Sequence, residues 1–108
     1  MVVHITDQNF GQEVEQYQGI VLIDFYAAWC GPCKMQTPIV EALAEKYQEQ
    51  IKVAKLDVDE AGITAGKFGI SSIPTLLFIQ NGKEVERFIG LRQPAELEAK
   101  ISQLQKAK

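Results

Sequence analysis

The chain has 108 residues, of which 46% are hydrophobic and 23% charged, as is typical of one soluble globular domain spanning residues 1–108. Its 14 acidic and 11 basic residues are scattered and give a net charge of −3, so no basic patch favours binding to nucleic acid or an anionic membrane. No apolar run approaches the roughly 18 residues that span a bilayer, and the N-terminus has neither the basic start nor the apolar run of a signal peptide. We therefore expect a cytoplasmic protein with its cysteines in a reducing compartment.

The first part of the chain predicts a strand, a helix and a second strand. Val2–Ile5 is a candidate edge strand, and Thr6 or Asp7 can cap the helix that follows. Gly19 ends this helix. Ile20–Ala28 is the most hydrophobic segment of the chain, and its near-continuous apolarity predicts a strand covered on both faces. Three apolar residues share one face of the helix: Phe10, Val14 and Tyr17.

A long helix is predicted next, from about Cys33 to Gln48. Pro38 lies inside it and removes a helical hydrogen bond, so we expect a kink there. Ile51–Val58 alternates between apolar and polar residues and predicts a second central strand. Asp59–Phe68 predicts only a weak, short helix, because glycines interrupt it.

The last part of the chain predicts a hairpin and a final helix. Thr75–Ile79 and Glu84–Ile89 have strand patterns, and the Asn81-Gly82 pair between them is a strong hairpin signal. Pro94 suits the first turn of a helix. Three apolar residues of that helix face inward: Leu97, Ile101 and Leu104.

The resulting order, β-α-β-α-β-α-β-β-α, predicts an α/β fold. Helical crossovers join parallel strands and a hairpin joins antiparallel ones, so the central sheet should be mixed. Helices should flank it on both faces.

The two cysteines of the chain, Cys30 and Cys33, lie two residues apart between a predicted strand and a predicted helix. A structural disulfide would close a ring of only four residues and contribute about 2 kcal/mol at best. Structural zinc needs four ligands, and the only other soft ligand is the distant His4, to which we assign no role. The sequence predicts no metal site, and it favours a redox role for the pair.

Redox chemistry accounts for each residue of this segment. Cys30 at a helix N-terminus is stabilised as a thiolate by the unpaired N–H groups and the helix dipole. Cys33, one turn on, can reach the same sulfur. Pro32 suits the first turn because its missing N–H is not needed there. Cys30 would attack a target disulfide, and Cys33 would displace the reduced target.

Asp24 is an acidic residue in the middle of the most apolar strand, and Lys55 has a similar position in the next predicted strand. One explanation is a buried Asp24–Lys55 ion pair that only fixes the core. We favour a proton-transfer role, because perturbed carboxylates cluster at functional sites. Asp24, with its pKa raised by burial, would accept the proton of Cys33 when that thiol attacks.

The segment Trp29-Cys-Gly-Pro-Cys-Lys34 resembles the active-site signature of the thioredoxin family. The resemblance covers nearly the whole chain in the family's order. It extends over these further segments: Ile23-Asp-Phe25, Lys55-Leu-Asp-Val-Asp59, Ile73-Pro-Thr75, Asn81-Gly82 and Gly90. Tyr26 and Ala28 depart from the usual pattern, which bears on partner preference.

The resemblance implies a thioredoxin fold and a general protein-disulfide reductase that is a monomer and needs no cofactor beyond its own Cys30–Cys33 disulfide. Its partners would be an NADPH-linked flavoprotein, thioredoxin reductase, and diverse disulfide-containing proteins. It implies that Asp24 and Lys55 form the buried pair behind Cys33, and that Ile73-Pro74 is a cis peptide facing the disulfide. An apolar docking surface would then comprise seven residues: Trp29, Gly31, Pro32, Ile73, Pro74, Gly90 and Leu91.

Two other functions remain open at this point. A disulfide oxidase or isomerase on the same fold is disfavoured by Pro32, since oxidising members tend to carry histidine before the second cysteine. A binding module would use only the docking surface. Replacing both cysteines by serine would abolish a redox function and spare a binding function.

Overall fold

The computed structural model describes residues 1–106; residues 107 and 108, the end of the predicted 1–108 domain, lie outside the described residues. The five strands are β1 (Val2–Ile5), β2 (Ile20–Tyr26), β3 (Lys52–Asp57), β4 (Thr75–Gln80) and β5 (Lys83–Ile89). The helices are a π-helical turn (Gly11–Glu15), α1 (Gly31–Lys46), α2 (Gly62–Lys67) and α3 (Pro94–Lys106). Within residues 1–106 no helix is long and apolar enough to cross a membrane.

The strands form one mixed sheet in the order β1-β3-β2-β4-β5. β3 pairs in parallel with both β1 and β2, whereas β4 runs antiparallel to β2 and to β5. The sheet therefore has the predicted mixed character, with β2 at its centre. Because β2 and β3 pair in register, Asp24 lies directly opposite Lys55.

Helices cover both faces of the sheet, as predicted. On one face α1 and α3 pack against β2, β3 and β4, and this core includes Leu22, Val53 and Leu76. On the other face Phe10, just before the π-helical turn, and Val14 within it pack with residues of β2 and β4. Burial on both sides explains why β2 is the most hydrophobic segment.

The first helix differs from the prediction in its hydrogen bonding. The Gln16 N–H donates to the Gly11 carbonyl, five residues back, at 2.9 Å, so this segment is a single π-type turn. Phe10 is its N-cap and no side chain caps it, so neither Thr6 nor Asp7 has the predicted role. Thr6 instead belongs to the preceding turn, where its hydroxyl oxygen accepts from the Asn9 N–H and the Asn9 side chain accepts in return from the Thr6 N–H. Asp7 instead accepts hydrogen bonds from Thr64.

The boundaries around the cysteines also differ from the prediction. β2 ends at Tyr26, and a turn in which the Cys30 N–H donates to the Ala27 carbonyl follows it. α1 begins at Gly31, two residues before the predicted start, because Pro32 is compatible with the first helical turn. α1 continues through Pro38 to Lys46, and the kink at Pro38 stays a prediction.

The hairpin between β4 and β5 has the predicted Asn-Gly turn. Asn81 and Gly82 have φ of 52° and 84°, the left-handed values of a type I′ turn. A Cβ atom at Gly82 would lie 2.7 Å from the Glu15 carbonyl oxygen. Only glycine fits there without displacing backbone.

Candidate active site

The cysteine pair lies at the N-terminus of α1, beyond the end of the central strand β2. Cys30 and Cys33 form a disulfide, and their Cα atoms are 5.3 Å apart. Cys30 is the N-cap residue of α1, and its Sγ accepts a hydrogen bond from the Cys33 N–H at 3.2 Å. The first sulfur therefore takes the place that a capping oxygen usually has.

Both cysteines of the pair are buried. Cys30 is 5% exposed and Cys33 only 1%. Gly31 and Pro32, between them, are exposed. The disulfide packs on Ala27 and on half-buried apolar neighbours. The exposed surface at the pair is thus that of Gly31 and Pro32.

Trp29, directly before the pair, is 70% exposed. Its indole N–H donates to Asp59 Oδ2 at 2.7 Å. Asp59 follows β3, so a hydrogen bond between two loops orients this large apolar surface beside the disulfide. The Asp59 contact was not predicted, because the two residues are 30 positions apart in the chain.

The segment before β4 lies against the disulfide. The Ile73-Pro74 peptide is cis, as the resemblance implied, and the Ile73 carbonyl oxygen is 3.8 Å from Cys30 Sγ. The Pro74 carbonyl accepts from the Gly90 N–H at 2.8 Å, which joins this segment to the end of β5. Leu91 follows Gly90 and is half-buried.

Asp24 is fully buried, and neither of its carboxyl oxygens accepts a hydrogen bond from the residues described. Burial raises the pKa of Asp24 to about 7, and the charge of Lys55 opposes this rise. Its strand neighbours on the same face, Leu22 and Leu76, belong to the core under α1. Asp24 is therefore a buried carboxyl group with a raised pKa on the sheet face that α1 covers.

Lys55 does not make the direct ion pair that was one of the two explanations for Asp24. Its ammonium group lies 4.5 Å from the centroid of the Tyr26 ring. The half-buried Tyr26, which departs from the family pattern, thus holds the cation by a cation–π contact. Lys55 acts on Asp24 through its charge rather than through a hydrogen bond.

Among residues 1–106 no cluster of three or more histidine, cysteine, aspartate or glutamate side chains could hold a metal ion. His4 is exposed, and its Nε2 atom is 2.6 Å from Glu60 Oε1. The redox group of this site is the disulfide of the chain itself.

One contact near the cysteines was missed in the sequence. The Gln36 side chain is fully buried on the inner face of α1 and forms two hydrogen bonds to the Arg92 backbone, at 2.8 and 3.0 Å. A signal was present: Gln36 is a polar residue in register with the inward-facing Cys33 and Val40. Its partner, 56 residues away, could not be deduced.

Comparison with known proteins agrees with the fold and the site. The family model "Thioredoxin" matches residues 1–103. The chain is 48% identical over 102 residues to a thioredoxin of Listeria monocytogenes, covering 94% of this chain and 97% of the relative. It is 44% identical over 101 residues to a thioredoxin of Bacillus subtilis, covering 94% and 95%, and 51% identical over 85 residues to thioredoxin 2 of Chlorobaculum tepidum, covering 79% and 78%. The chain thus belongs to the thioredoxin family and is a protein-disulfide reductase.

Proposed function

We propose that the chain reduces protein disulfides in two steps, with Cys30 as the attacking thiol and Cys33 as the resolving thiol. The observation that carries this assignment is the position of Cys30 as the N-cap of α1, with its sulfur accepting the Cys33 N–H. That hydrogen bond and the helix dipole stabilise a thiolate at Cys30 and so lower its pKa.

In the first step the Cys30 thiolate attacks one sulfur of the target disulfide. A Cys30–target disulfide forms, the target S–S bond breaks, and one target sulfur leaves as a thiolate. In the second step Cys33, having lost its proton, attacks the Cys30 sulfur. The Cys30–Cys33 disulfide forms and the second target sulfur leaves, so two electrons pass from the chain to the target.

Asp24 accepts the Cys33 proton in the second step, directly or through a water molecule. A pKa of about 7 suits a base that works near neutral pH. Lys55 stabilises the carboxylate through its charge and keeps that pKa from rising further. Both residues act on the resolving step, because they lie on the sheet face under α1.

The target docks on Trp29, Ile73 and the residues around them. The Ile73 carbonyl is next to Cys30 and precedes the first ladder residue of β4, so an extended target segment can pair with this backbone. The exposed indole supplies apolar contact area. The remaining members of the docking surface are Gly31, Pro32, Pro74, Gly90 and Leu91.

An NADPH-linked flavoprotein, thioredoxin reductase, regenerates the dithiol, and the chain acts as a cytoplasmic monomer. These proposals rest on the family and on the scattered charge of the chain.

Insulin reduction driven by a dithiol, followed by NADPH-coupled turnover with a reductase, tests the function. The wild-type chain should be active in both assays, and the Cys30→Ser/Cys33→Ser variant should be inactive in both. A wild-type chain that binds targets without reducing them would favour a binding module. A reduction potential well above the cytosolic glutathione poise would favour an oxidase.

A further inference from the structure

We propose that Gln36 is a positioning residue that fixes the 90–92 segment beside the cysteine pair and thereby sets the affinity for protein disulfides. The inference rests on the proposed reduction of protein disulfides and adds a determinant of target binding outside the docking surface itself.

Gln36 is an unusual residue for the inner face of a helix. Its side chain is fully buried among apolar residues, one helical turn after Cys33. A buried amide is unfavourable unless its polar atoms are hydrogen-bonded. The hydrogen bonds of the Gln36 amide must therefore offset the cost of burying it.

Those contacts form a two-point clamp on backbone. Gln36 Nε2 donates to the Arg92 carbonyl at 3.0 Å, and the Arg92 N–H donates to Gln36 Oε1 at 2.8 Å. The side-chain amide thus pairs with both the N–H and the C=O group of Arg92, as the backbone of an adjacent β-strand does. The pairing also defines the amide orientation, since the reverse would oppose two donors.

The clamp is one half of a connection that spans the site. On its other side the 90–92 segment is held by the Gly90 N–H, which donates to the Pro74 carbonyl at 2.8 Å. The adjoining Ile73 carbonyl lies 3.8 Å from Cys30 Sγ. Gln36 therefore joins the helix that carries both thiols to the backbone that would receive the target. Without it, the backbone of Arg92 loses both hydrogen bonds to α1, and the remaining contacts of Arg92 are those of its side chain with Ile89, Glu96 and Phe88.

The proposal predicts a selective defect. A protein target needs the docking surface in its bound geometry, whereas a small disulfide such as cystine needs only the thiols. Loss of the clamp should weaken the binding of protein targets, and it should leave the rate of thiol–disulfide exchange unchanged for protein targets and for cystine. A glutamine that merely filled the core would affect both substrates alike.

The test uses Gln36→Leu, which removes both hydrogen bonds, and Gln36→Glu, which keeps the acceptor and loses the donor. Tyr47→Phe is the matched control, because it removes a hydrogen bond from the opposite end of α1 to Glu98. Oxidation of each reduced variant is followed by the fluorescence of Trp29, the only tryptophan, over a range of insulin and of cystine concentrations.

For Gln36→Leu, the insulin concentration at half-maximal rate should rise roughly five- to tenfold, with the maximal rate and the cystine rate changed less than about twofold. Gln36→Glu should give a smaller rise, and Tyr47→Phe none. Faster hydrogen exchange at the Arg92 N–H should accompany the effect. Unchanged half-saturation in both Gln36 variants, or equal losses on insulin and cystine, would overturn the proposal. Failure of the wild-type chain to reduce insulin would refute the proposed function instead.

Discussion

At the scale of single residues, the site depends on two side chains in positions where their residue types are uncommon. Cys30 uses a sulfur where a helix usually has a capping oxygen, and Asp24 is a carboxyl group in the apolar core. Burial favours the neutral form of the Asp24 carboxyl and raises its pKa to about 7. The Cys33 N–H donates to Cys30 Sγ, and we propose that this donor favours a thiolate at Cys30 in the reduced chain. In the proposed mechanism the two groups serve different steps: Cys30 attacks the target, and Asp24 later accepts the proton of Cys33.

Asp24→Asn should slow the resolving step by about tenfold or more, because the base that receives the Cys33 proton is lost. The mixed disulfide should accumulate during insulin reduction at neutral pH, where trapping with acid and mass measurement can detect it. The matched comparison is made in a Cys33→Ser background, where Asp24→Asn should leave the rate of mixed-disulfide formation nearly unchanged. Equal turnover of the variant and the wild type would remove Asp24 from the mechanism.

The same substitution should change how stability depends on pH. The folded-state pKa of Asp24 is raised from 3.8 to about 7, so the folded chain binds a proton more tightly than the unfolded chain between these values. Ionising Asp24 therefore destabilises the fold as pH rises through this range, by about 4 kcal/mol in full. Relative to the wild type, Asp24→Asn should gain unfolding free energy progressively up to about pH 8.

Urea unfolding of both proteins across this pH range measures that difference. Other titrating groups are common to the two proteins and cancel. A stability difference that stays constant with pH would mean that Asp24 keeps an ordinary pKa in the folded chain.

At the scale of elements, backbone geometry decides where side chains are tolerated. The β4–β5 turn requires left-handed φ at two successive residues and lies against the backbone of the π-helical turn. α2, by contrast, is a short helix weakened by its own glycines, and a Cβ atom at Gly66 would meet nothing within 4 Å. Two glycines of one chain thus have opposite roles.

Gly82→Ala and Gly66→Ala should change stability in opposite directions. At Gly82 the added methyl group combines positive φ with a 2.7 Å approach to the Glu15 carbonyl, so we expect a loss of about 2 kcal/mol or more. At Gly66, alanine should stabilise by roughly 0.5–1 kcal/mol, because glycine is the poorer helix former. Thermal or denaturant unfolding of the two variants provides the measurement. Equal effects of the two substitutions would contradict this explanation.

At the scale of the whole molecule, the core and the redox site are separable. The apolar residues that fill the two faces of the sheet hold the fold together, and the disulfide closes a ring of only four residues at its edge. On the chain-entropy model such a ring contributes about 2 kcal/mol.

Cys30→Ser/Cys33→Ser should therefore fold to the same structure and lose all reductase activity. Its unfolding free energy should lie about 2 kcal/mol below that of the oxidised wild type. Circular dichroism and urea unfolding, together with the insulin assay, provide the test. A variant that fails to fold would show that the pair is a structural staple after all.

A structural feature can be predicted from the sequence when neighbouring residues determine it, and it is missed when distant contacts determine it. The order of the elements along the chain followed from apolar runs and turn residues, and burial of β2 on both faces leaves a direct trace in composition. The order of the strands within the sheet was not predicted, because it depends on long-range pairing. The π-type bonding of Gly11–Glu15 is a matter of which backbone carbonyl accepts each N–H group, and it left no such trace. The cis Ile73-Pro74 bond was expected only from the family resemblance. The residues alone could not indicate it, because the cis and trans forms of an X–Pro bond differ by only about 0.5–1 kcal/mol.

The most direct test of the central assignment is the titration of the reduced chain. The rate of alkylation by iodoacetamide, measured across pH with the labelled cysteine identified, reports the pKa of each thiol. We expect Cys30 to react first and its rate to inflect clearly below the value of about 8.5 for free cysteine. An inflection at or above that value, or alkylation of Cys33 before Cys30, would contradict the account of the site.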